Sequence, residues 1–403
     1  MRTLEQRREA VFAGKIDILF LILTAQCNSR CSYCYQTAKK NRRMPWDVLR
    51  AALDLALASR RREVSLVFLG GEPLLEFARI RKAVAYAGRR AALGKRLQYK
   101  ISTNGLLLDE TAADFLDQHR FGVQLSFDGI AKAQDYRTKG SFALIDRMLD
   151  RLRRQQPDLF ENRLRVCMTL IPATIPYFAR SVRYLIGKGI RSIAVSPSII
   201  AHPEWSLSQV RELDRQFAQV YIESLRHLRE SGEAPLQFLR RRKNGGECQS
   251  ARSVMCALPA GTRLAVDVDG QAYGCASLAE SYQGFPADFL RSRLAPLRMG
   301  DLRDPDFPAR FAAFPGATKQ AEIFHDRIKK HSSYGKCSRC AYFNTCSICP
   351  VSIGLDPDNR DPHRVPDFFC AFNRVALKYR SRFPATMDPA DPFENFLRQL
   401  GID

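Results

Sequence analysis

Three cysteines, Cys27, Cys31 and Cys34, stand at C-x3-C-x2-C spacing directly after the apolar run Ile16 to Leu23. Three thiolates can hold three irons of a [4Fe–4S] cluster and leave the fourth iron without a protein ligand. An open iron can bind a small molecule, whereas a cluster with four thiolates mainly passes electrons. The same residues could instead form a zinc knuckle with a distant fourth ligand. A second set follows far downstream: Cys248, Cys256 and Cys275, then Cys337-x2-Cys340-x5-Cys346-x2-Cys349, and finally Cys370. With Cys167 the chain has twelve cysteines. No signal peptide is visible at the N-terminus, so metal chemistry is expected rather than disulfides.

These residues need a scaffold. Ile16 to Leu23 reads as a buried strand, and further strand-length runs end in short polar or glycine-bearing motifs. Val64 to Leu69 ends in Gly70-Gly71-Glu72-Pro73. Leu97 to Thr103 ends in Ser102-Thr103-Asn104-Gly105, and Gly122 to Phe127 in Ser126-Phe127-Asp128-Gly129; Leu164 to Leu170 and Ile193 to Ser196 follow. Helical periodicity separates them: from Trp46 to Ser59, from Pro73 to about Ala92, after a cap at Asp109, from Ser141 to Arg153, and from Tyr177 to Ile186. Six β/α alternations imply a parallel sheet, with the motifs at the strand ends where such folds place chemistry. Ser206 to Arg229 reads as one amphipathic bridging helix, and Arg240 to Gly246 as a basic linker. Leu264 to Gly270 reads as a hairpin holding Cys275, and a helix is expected beyond Cys370, from about Arg374 to Arg382.

The first triplet, with Tyr33 between its last two cysteines, resembles the radical S-adenosylmethionine (SAM) enzymes. The resemblance implies that the open iron chelates the amino and carboxylate groups of SAM, and that an electron from the cluster breaks SAM to a 5′-deoxyadenosyl radical. Gly70-Gly71-Glu72-Pro73 matches the family's GGEP, whose backbone contacts the SAM amino group. Thr103-Asn104-Gly105 and the Ser126-x-Asp128-Gly129 motif resemble the loops around SAM's ribose and methionine. Arg137 is expected to pair with the SAM carboxylate through its planar fork, or else to be one more surface arginine. The adenine is expected against apolar strand ends such as Val195. The fold implied is α/β: a partial (β/α)6 TIM-like barrel followed by a small cysteine-rich α+β domain.

The downstream cysteines resemble the SPASM extension of that family, whose pattern is C-x(9–15)-G-x4-C, then C-x2-C-x5-C-x3-C, then a last cysteine. Cys346 and Cys349 depart from it, being two residues apart instead of three. The resemblance implies one auxiliary [4Fe–4S] cluster on Cys248, Cys256, Cys275 and Cys349, and another on Cys337, Cys340, Cys346 and Cys370. Two zinc sites are the alternative. Cys167 is then left over. Strand alternation puts it on the face of Arg165 and Thr169, opposite Val166 and Met168. A thiol there could donate hydrogen to a substrate radical, as in radical peptide epimerases; the plainer reading is a small buried hydrophobe. The expected division is an N-terminal extension (1–15), the barrel (16–205), bridging helix and linker (206–246), a SPASM domain (247–375) and a tail (376–403).

The formal net charge is +21, with basic runs at Lys39–Arg43, Arg60–Arg62 and Arg240–Lys243. That balance suits an acidic leader peptide, or is a solvated basic surface. No aromatic RNA-binding signature accompanies it, so nucleic acid is not an expected partner, and an RNA-modifying radical enzyme rests on charge alone. No apolar run is long enough to span a bilayer, so a cytoplasmic protein without a membrane partner is expected. Fewer than twenty residues precede the first strand. They leave no room for a winged-helix leader-recognition domain, so a separate leader-binding protein, or the basic linker itself, is expected to hold the substrate. The resemblance implies an oxidoreductase-type maturase of a ribosomally made precursor peptide (a RiPP). It would abstract hydrogen to give a cross-link, an oxidised residue or an epimer, with a flavodoxin or ferredoxin as electron donor. One alternative is an anaerobic sulfatase-maturating, formylglycine-generating enzyme. That group usually carries aspartate right after the cysteine matching Cys275, where this chain has Ala276. The other alternative is a non-catalytic iron–sulfur carrier.

Overall fold

The computed structural model describes residues 14–36, 41–91, 94–240, 260–282, 297–320, 327–356 and 358–387. Cys248, Cys256 and the basic linker after Arg240 lie outside the described residues. Six strands form the centre: β1 (Ile18–Ile22), β2 (Glu63–Leu69), β3 (Arg96–Thr103), β4 (Gly122–Ser126), β5 (Leu164–Leu170) and β6 (Ile193–Pro197). Each pairs in parallel with the next. Between them run α1 (Trp46–Ala58), α2 (Phe77–Arg90), α3 (Glu110–Gln118), α4 (Ala131–Gln134), α5 (Phe142–Gln155) and α6 (Phe178–Gly187).

Local chemistry explains these elements. β2 buries Val64 to Phe68 without interruption, as a strand covered on both faces must. In α5, Ile145, Met148, Leu149 and Leu152 form one buried stripe at helical spacing. The Asp109 side chain accepts a hydrogen bond from Ala112 N at 2.8 Å and so caps α3. On β5, Leu164, Val166, Met168 and Leu170 are buried, whereas Arg165, Cys167 and Thr169 are half-buried on the opposite face.

The sheet order is β6-β5-β4-β3-β2-β1-β7-β8-β9, so the barrel is open. The added strands are β7 (Arg263–Val266), β8 (Gln271–Tyr273) and β9 (Arg298–Asp301). The expected hairpin is present, but it does not stand apart: β7 pairs in parallel with β1, and β8 and β9 follow antiparallel. The open edge of β1 would otherwise expose a row of backbone donors and acceptors. Leu264, Ala265 and Val266 are all buried there.

The bridging helix α7 (Val210–Ser231) begins one short turn later than expected and packs against the last helix, α10 (Asp367–Arg382). Phe217 stacks on Tyr379 at 6.3 Å, and the Tyr221 hydroxyl donates to the Arg382 carbonyl at 2.9 Å. The sequence places this last helix from about Arg374. It begins seven residues earlier, because Pro366 can start it and Phe368, Phe369, Phe372, Val375 and Tyr379 supply a continuous buried face. Cys370 therefore lies inside the helix. Two shorter elements, α8 (Phe307–Gln320) and α9 (Pro350–Gly354), complete the C-terminal part. Among the described residues no helix is long and apolar enough to cross a membrane.

Candidate active site

The cysteine loop leaves the C-terminal end of β1 and is fastened on three sides. The first is the β2 end. Gly71 N donates to Thr24 O and Glu72 N to Gln26 O, both at 2.8 Å, while Gln36 Nε2 donates to Gly70 O at 3.1 Å. The second is the β3 end, where Asn104 Nδ2 donates to Asn28 Oδ1 at 2.7 Å and lies 3.9 Å from Cys27 Sγ. The third is the segment after β4: Ser32 N donates to Tyr136 O at 2.8 Å, and the Ser29 and Thr138 hydroxyls meet at 2.7 Å. Cys27 Sγ also accepts from Ser29 N at 3.3 Å. The motifs at 70–73 and 103–105, and the 126–129 motif through the Tyr33 hydroxyl on Asp128, thus converge on the loop carrying Cys27, Cys31 and Cys34. Nothing in the sequence, apart from its place beside Cys27, points to Asn28 as a link in this arrangement.

Glu72 ties two of these motifs together. It is fully buried, and Oε1 accepts from Thr103 Oγ1 at 2.7 Å and Leu74 N at 3.1 Å, while Oε2 accepts from Asn104 N at 2.7 Å. Pro73 opens the short helical turn that follows. Burial pushes the Glu72 carboxyl up to about 7, against the pull of these three hydrogen bonds. The folded value lies above the ordinary one, so the fold binds an extra proton between the two. The associated stability is complete below the ordinary carboxylate range and is lost as pH rises through about 7. Glu72→Gln turns an amide NH2 toward a backbone or hydroxyl donor. A cost of about 1–3 kcal/mol is expected. The variant should also lose a decline in stability of ~1 kcal/mol between pH 6 and 8, read by anaerobic denaturant melts at both pH values.

Asp128 is the second hub. It is buried and faces Arg137, also buried, with Arg137 Nε at 3.2 Å and Nη2 at 2.8 Å from its two oxygens. It also accepts from the Tyr33 hydroxyl and from Thr169 N at 2.9 Å. The Arg137 guanidinium lies 5.4 Å from the centre of the Tyr33 ring, and burial keeps the Tyr33 phenol protonated. The sequence reading aims Arg137 at a SAM carboxylate; its fork is instead filled by Asp128. Ser126 ends β4 beside this group, and Cys167 is its register partner on β5. Burial raises the Cys167 thiol above its usual range, with Arg165 and Arg137 near enough to pull it down. Val195, expected near an adenine, is half-buried on β6.

Cys34, Cys167, Cys275, Cys337, Cys340, Cys346 and Cys370 are free of disulfides. Cys337, Cys340, Cys346 and Cys370 line one cleft, with Arg327, Ser332, Phe343 and Arg374. Ser332 Oγ donates to Cys370 Sγ at 3.2 Å. Burial pushes the Cys337 thiol up to about 11 and Cys346 to about 12, while Arg327 pulls both down. Cys349 does not line this cleft; it precedes α9. Cys275 precedes a short turn of helix at 276–278 and lies, with Cys34, close enough to the half-buried Tyr35 phenol to add to the rise that desolvation causes. Among the described residues no three His, Cys, Asp or Glu groups gather as tightly as one metal ion requires. Four thiols nonetheless line the same cleft, and thiolates are the donor type that iron–sulfur clusters take. A separate cavity of about 580 Å³ lies between the 198–205 segment and 352–369. Asp356, Asp358 and Asp367 outnumber Arg364 on its wall.

Residues 21–185 match the Radical SAM superfamily model. The chain contains a radical SAM domain. This domain runs from the end of β1 into α6 and holds the cysteine loop, the three strand-end motifs and Cys167; the second cysteine set lies beyond it. Such a domain binds SAM and an iron–sulfur cluster. An uncharacterized protein of Methanocaldococcus jannaschii, MJ0907, is 29% identical over 178 residues, 44% of this chain and 60% of that one. The serine-type anaerobic sulfatase-maturating enzyme of Klebsiella aerogenes is 29% identical over 152 residues, 35% of this chain and 38% of that one. The match thus spans less than two thirds of either relative. Among solved structures, anSMEcpe with bound AdoMet and Cp18Cys peptide superposes with a TM-score of 0.67 at 16% identity, covering 96% of this chain and 99% of that one. Streptococcus suis SuiB bound to precursor peptide SuiA gives 0.52 at 13% identity, covering 90% and 77%. At such identities the likeness is one of fold.

Proposed function

We propose that this protein is a radical SAM peptide maturase, a SAM-dependent enzyme that abstracts hydrogen from a ribosomally made precursor peptide. The observation that carries the reading is the docking of the Cys27–Cys34 loop on all three strand-end motifs. Cys27, Cys31 and Cys34 would hold the SAM-binding cluster. Gly70, Gly71, Glu72 and Pro73, with Thr103, Asn104, Ser126 and Asp128, would shape the SAM site, and Tyr33 would close it from the loop side. When bound, SAM and the cluster supply a 5′-deoxyadenosyl radical. Arg137 serves this site by fixing Asp128. Residues 247–375 would form the auxiliary-cluster unit on the same sheet. Its ligands would be Cys248, Cys256, Cys275 and Cys349 in one set, and Cys337, Cys340, Cys346 and Cys370 in the other.

Two solved proteins of like fold are bound to peptides, Cp18Cys and SuiA, which supports a peptide substrate here. The acidic wall of the 198–205/352–369 cavity does not suit an acidic leader, so that segment would bind elsewhere, with a separate leader-binding protein. A flavodoxin or ferredoxin would deliver the electron. Sulfatase maturation is the second reading, favoured by the Klebsiella relative. Against it stands Ala276, which opens a helical turn after Cys275 and offers no carboxylate.

The test is anaerobic reconstitution with iron and sulfide, then reduction with dithionite in the presence of SAM. Formation of 5′-deoxyadenosine is expected, and its absence would sink the proposal. Precursor peptides and sulfatase-derived Ser or Cys peptides then separate the two readings by mass change. A role for Cys167 as hydrogen donor is tested by Cys167→Ala in deuterated water. Loss of deuterium uptake into the product, with 5′-deoxyadenosine formation intact, is expected. Unchanged uptake would return Cys167 to the role of a small buried hydrophobe.

A further inference from the structure

Arg327 is buried beside the four-thiol cleft, at 2% exposure. Its Nη2 donates to the Cys346 carbonyl at 3.1 Å, and its guanidinium lies 4.7 Å from the centre of the Phe343 ring. Nε is buried without a hydrogen-bond partner. Among the described residues no carboxylate pairs with this side chain. A buried charge with one carbonyl and a ring face for company is costly unless an anion completes it. Among the described residues, the concentration of potential negative charge at its side is the set Cys337, Cys340, Cys346 and Cys370. Lys330, fully buried and donating from Nζ to Pro362 O at 2.7 Å, adds a second cation near Cys337.

We infer that Arg327 is the charge partner of an iron–sulfur cluster held by Cys337, Cys340, Cys346 and Cys370, donating from Nε to a cluster sulfur and raising that cluster's reduction potential. The inference rests on the auxiliary-cluster reading above. Its physical basis is simple. One-electron reduction adds a negative charge to an already anionic cluster, and a fixed buried cation stabilises the reduced form more than the oxidised one. With four thiolates no iron is left open, so the cluster is fitted to accept electrons. Arg327 is a positioning and tuning residue, and it does not touch SAM.

The experiment uses the full chain, reconstituted anaerobically. Iron, sulfide and the EPR signal of the reduced protein are compared with those of Cys340→Ala. The signal and iron lost in that variant belong to this cleft; if nothing is lost, the auxiliary-cluster reading itself fails, and the inference with it. EPR-monitored redox titration then follows that signal in wild type, Arg327→Gln and Arg327→Lys. Arg327→Gln should shift the reduction equilibrium at least about tenfold toward the oxidised form, about 59 mV for one electron. Arg327→Lys, which keeps the charge, should shift it less. Assembly in Arg327→Lys but not in Arg327→Gln would equally support the charge requirement. Full iron and an unchanged potential in Arg327→Gln would overturn the inference and leave the cluster standing. Loss of the cluster from both variants would overturn it in favour of packing.

Discussion

Gly71→Ala should abolish the N-terminal iron–sulfur site while leaving the fold in place. A methyl group on Gly71 would sit 2.0 Å from Gln26 O, 2.4 Å from Gln26 C and 2.9 Å from Cys27 Cβ. Two of these are backbone atoms, so no rotamer change relieves the clash. The backbone cannot slide either, since Gly71 N and Glu72 N are both committed to carbonyls of the cysteine loop at 2.8 Å. Either these bonds break or Cys27 moves. Overpacking of this kind costs about 1–3 kcal/mol in a core. Here the greater consequence is misplacement, because an error of about 1 Å at a reacting site can cost on the order of 100-fold in rate. Iron and sulfide should fall by one cluster's share, and 5′-deoxyadenosine formation by at least about 100-fold. Gly88→Ala is the control: nothing lies within 4 Å of its added methyl group, and in the last turn of α2 it should be neutral or stabilising by up to about 1 kcal/mol. Full iron and near-normal SAM cleavage in Gly71→Ala would show that this close approach does not set the cysteine geometry.

The parts of the molecule that were legible in the sequence are those governed by local pattern. The strand Leu164 to Leu170 has the predicted bounds and faces, because alternation of apolar and polar residues records which side is covered. The GGEP motif was legible because only glycine permits the approach between residues 71 and 26. Partners chosen across long sequence distances were not legible. Arg137 looks like an arginine free to meet a ligand; only the folded loop after β4 brings Asp128 into its fork. The pairing of β7 with β1, more than two hundred residues earlier, has no local signature, since a four-residue apolar run fits many edges. The same holds for Arg327. One arginine among 63 basic residues carries no mark in the sequence, and its burial against four thiols emerges only in three dimensions.

Asp128→Asn tests the other large effect, and it separates two roles for Arg137. The pair is buried, two-pronged, and further bonded to the Tyr33 hydroxyl and Thr169 N. Neutralising one partner leaves the guanidinium in a low-dielectric site with no counter-charge, which costs about 3–5 kcal/mol. Arg137→Met should be comparably damaging, because it strands the Asp128 carboxylate. The double variant Asp128→Asn/Arg137→Met should cost clearly less than the two single losses added together, since it leaves neither charge alone. Anaerobic chemical denaturation of the four proteins gives the cycle. Repeating it with SAM present decides what Arg137 faces. If Arg137 holds Asp128 as part of the SAM site, SAM should stabilise Asp128→Asn no more than it stabilises wild type. If the guanidinium were instead the seat of the SAM carboxylate, SAM would supply the missing anion, and Asp128→Asn would gain more from it than wild type does. The 2.8 Å and 3.2 Å contacts that fill both arms of the fork favour the first outcome.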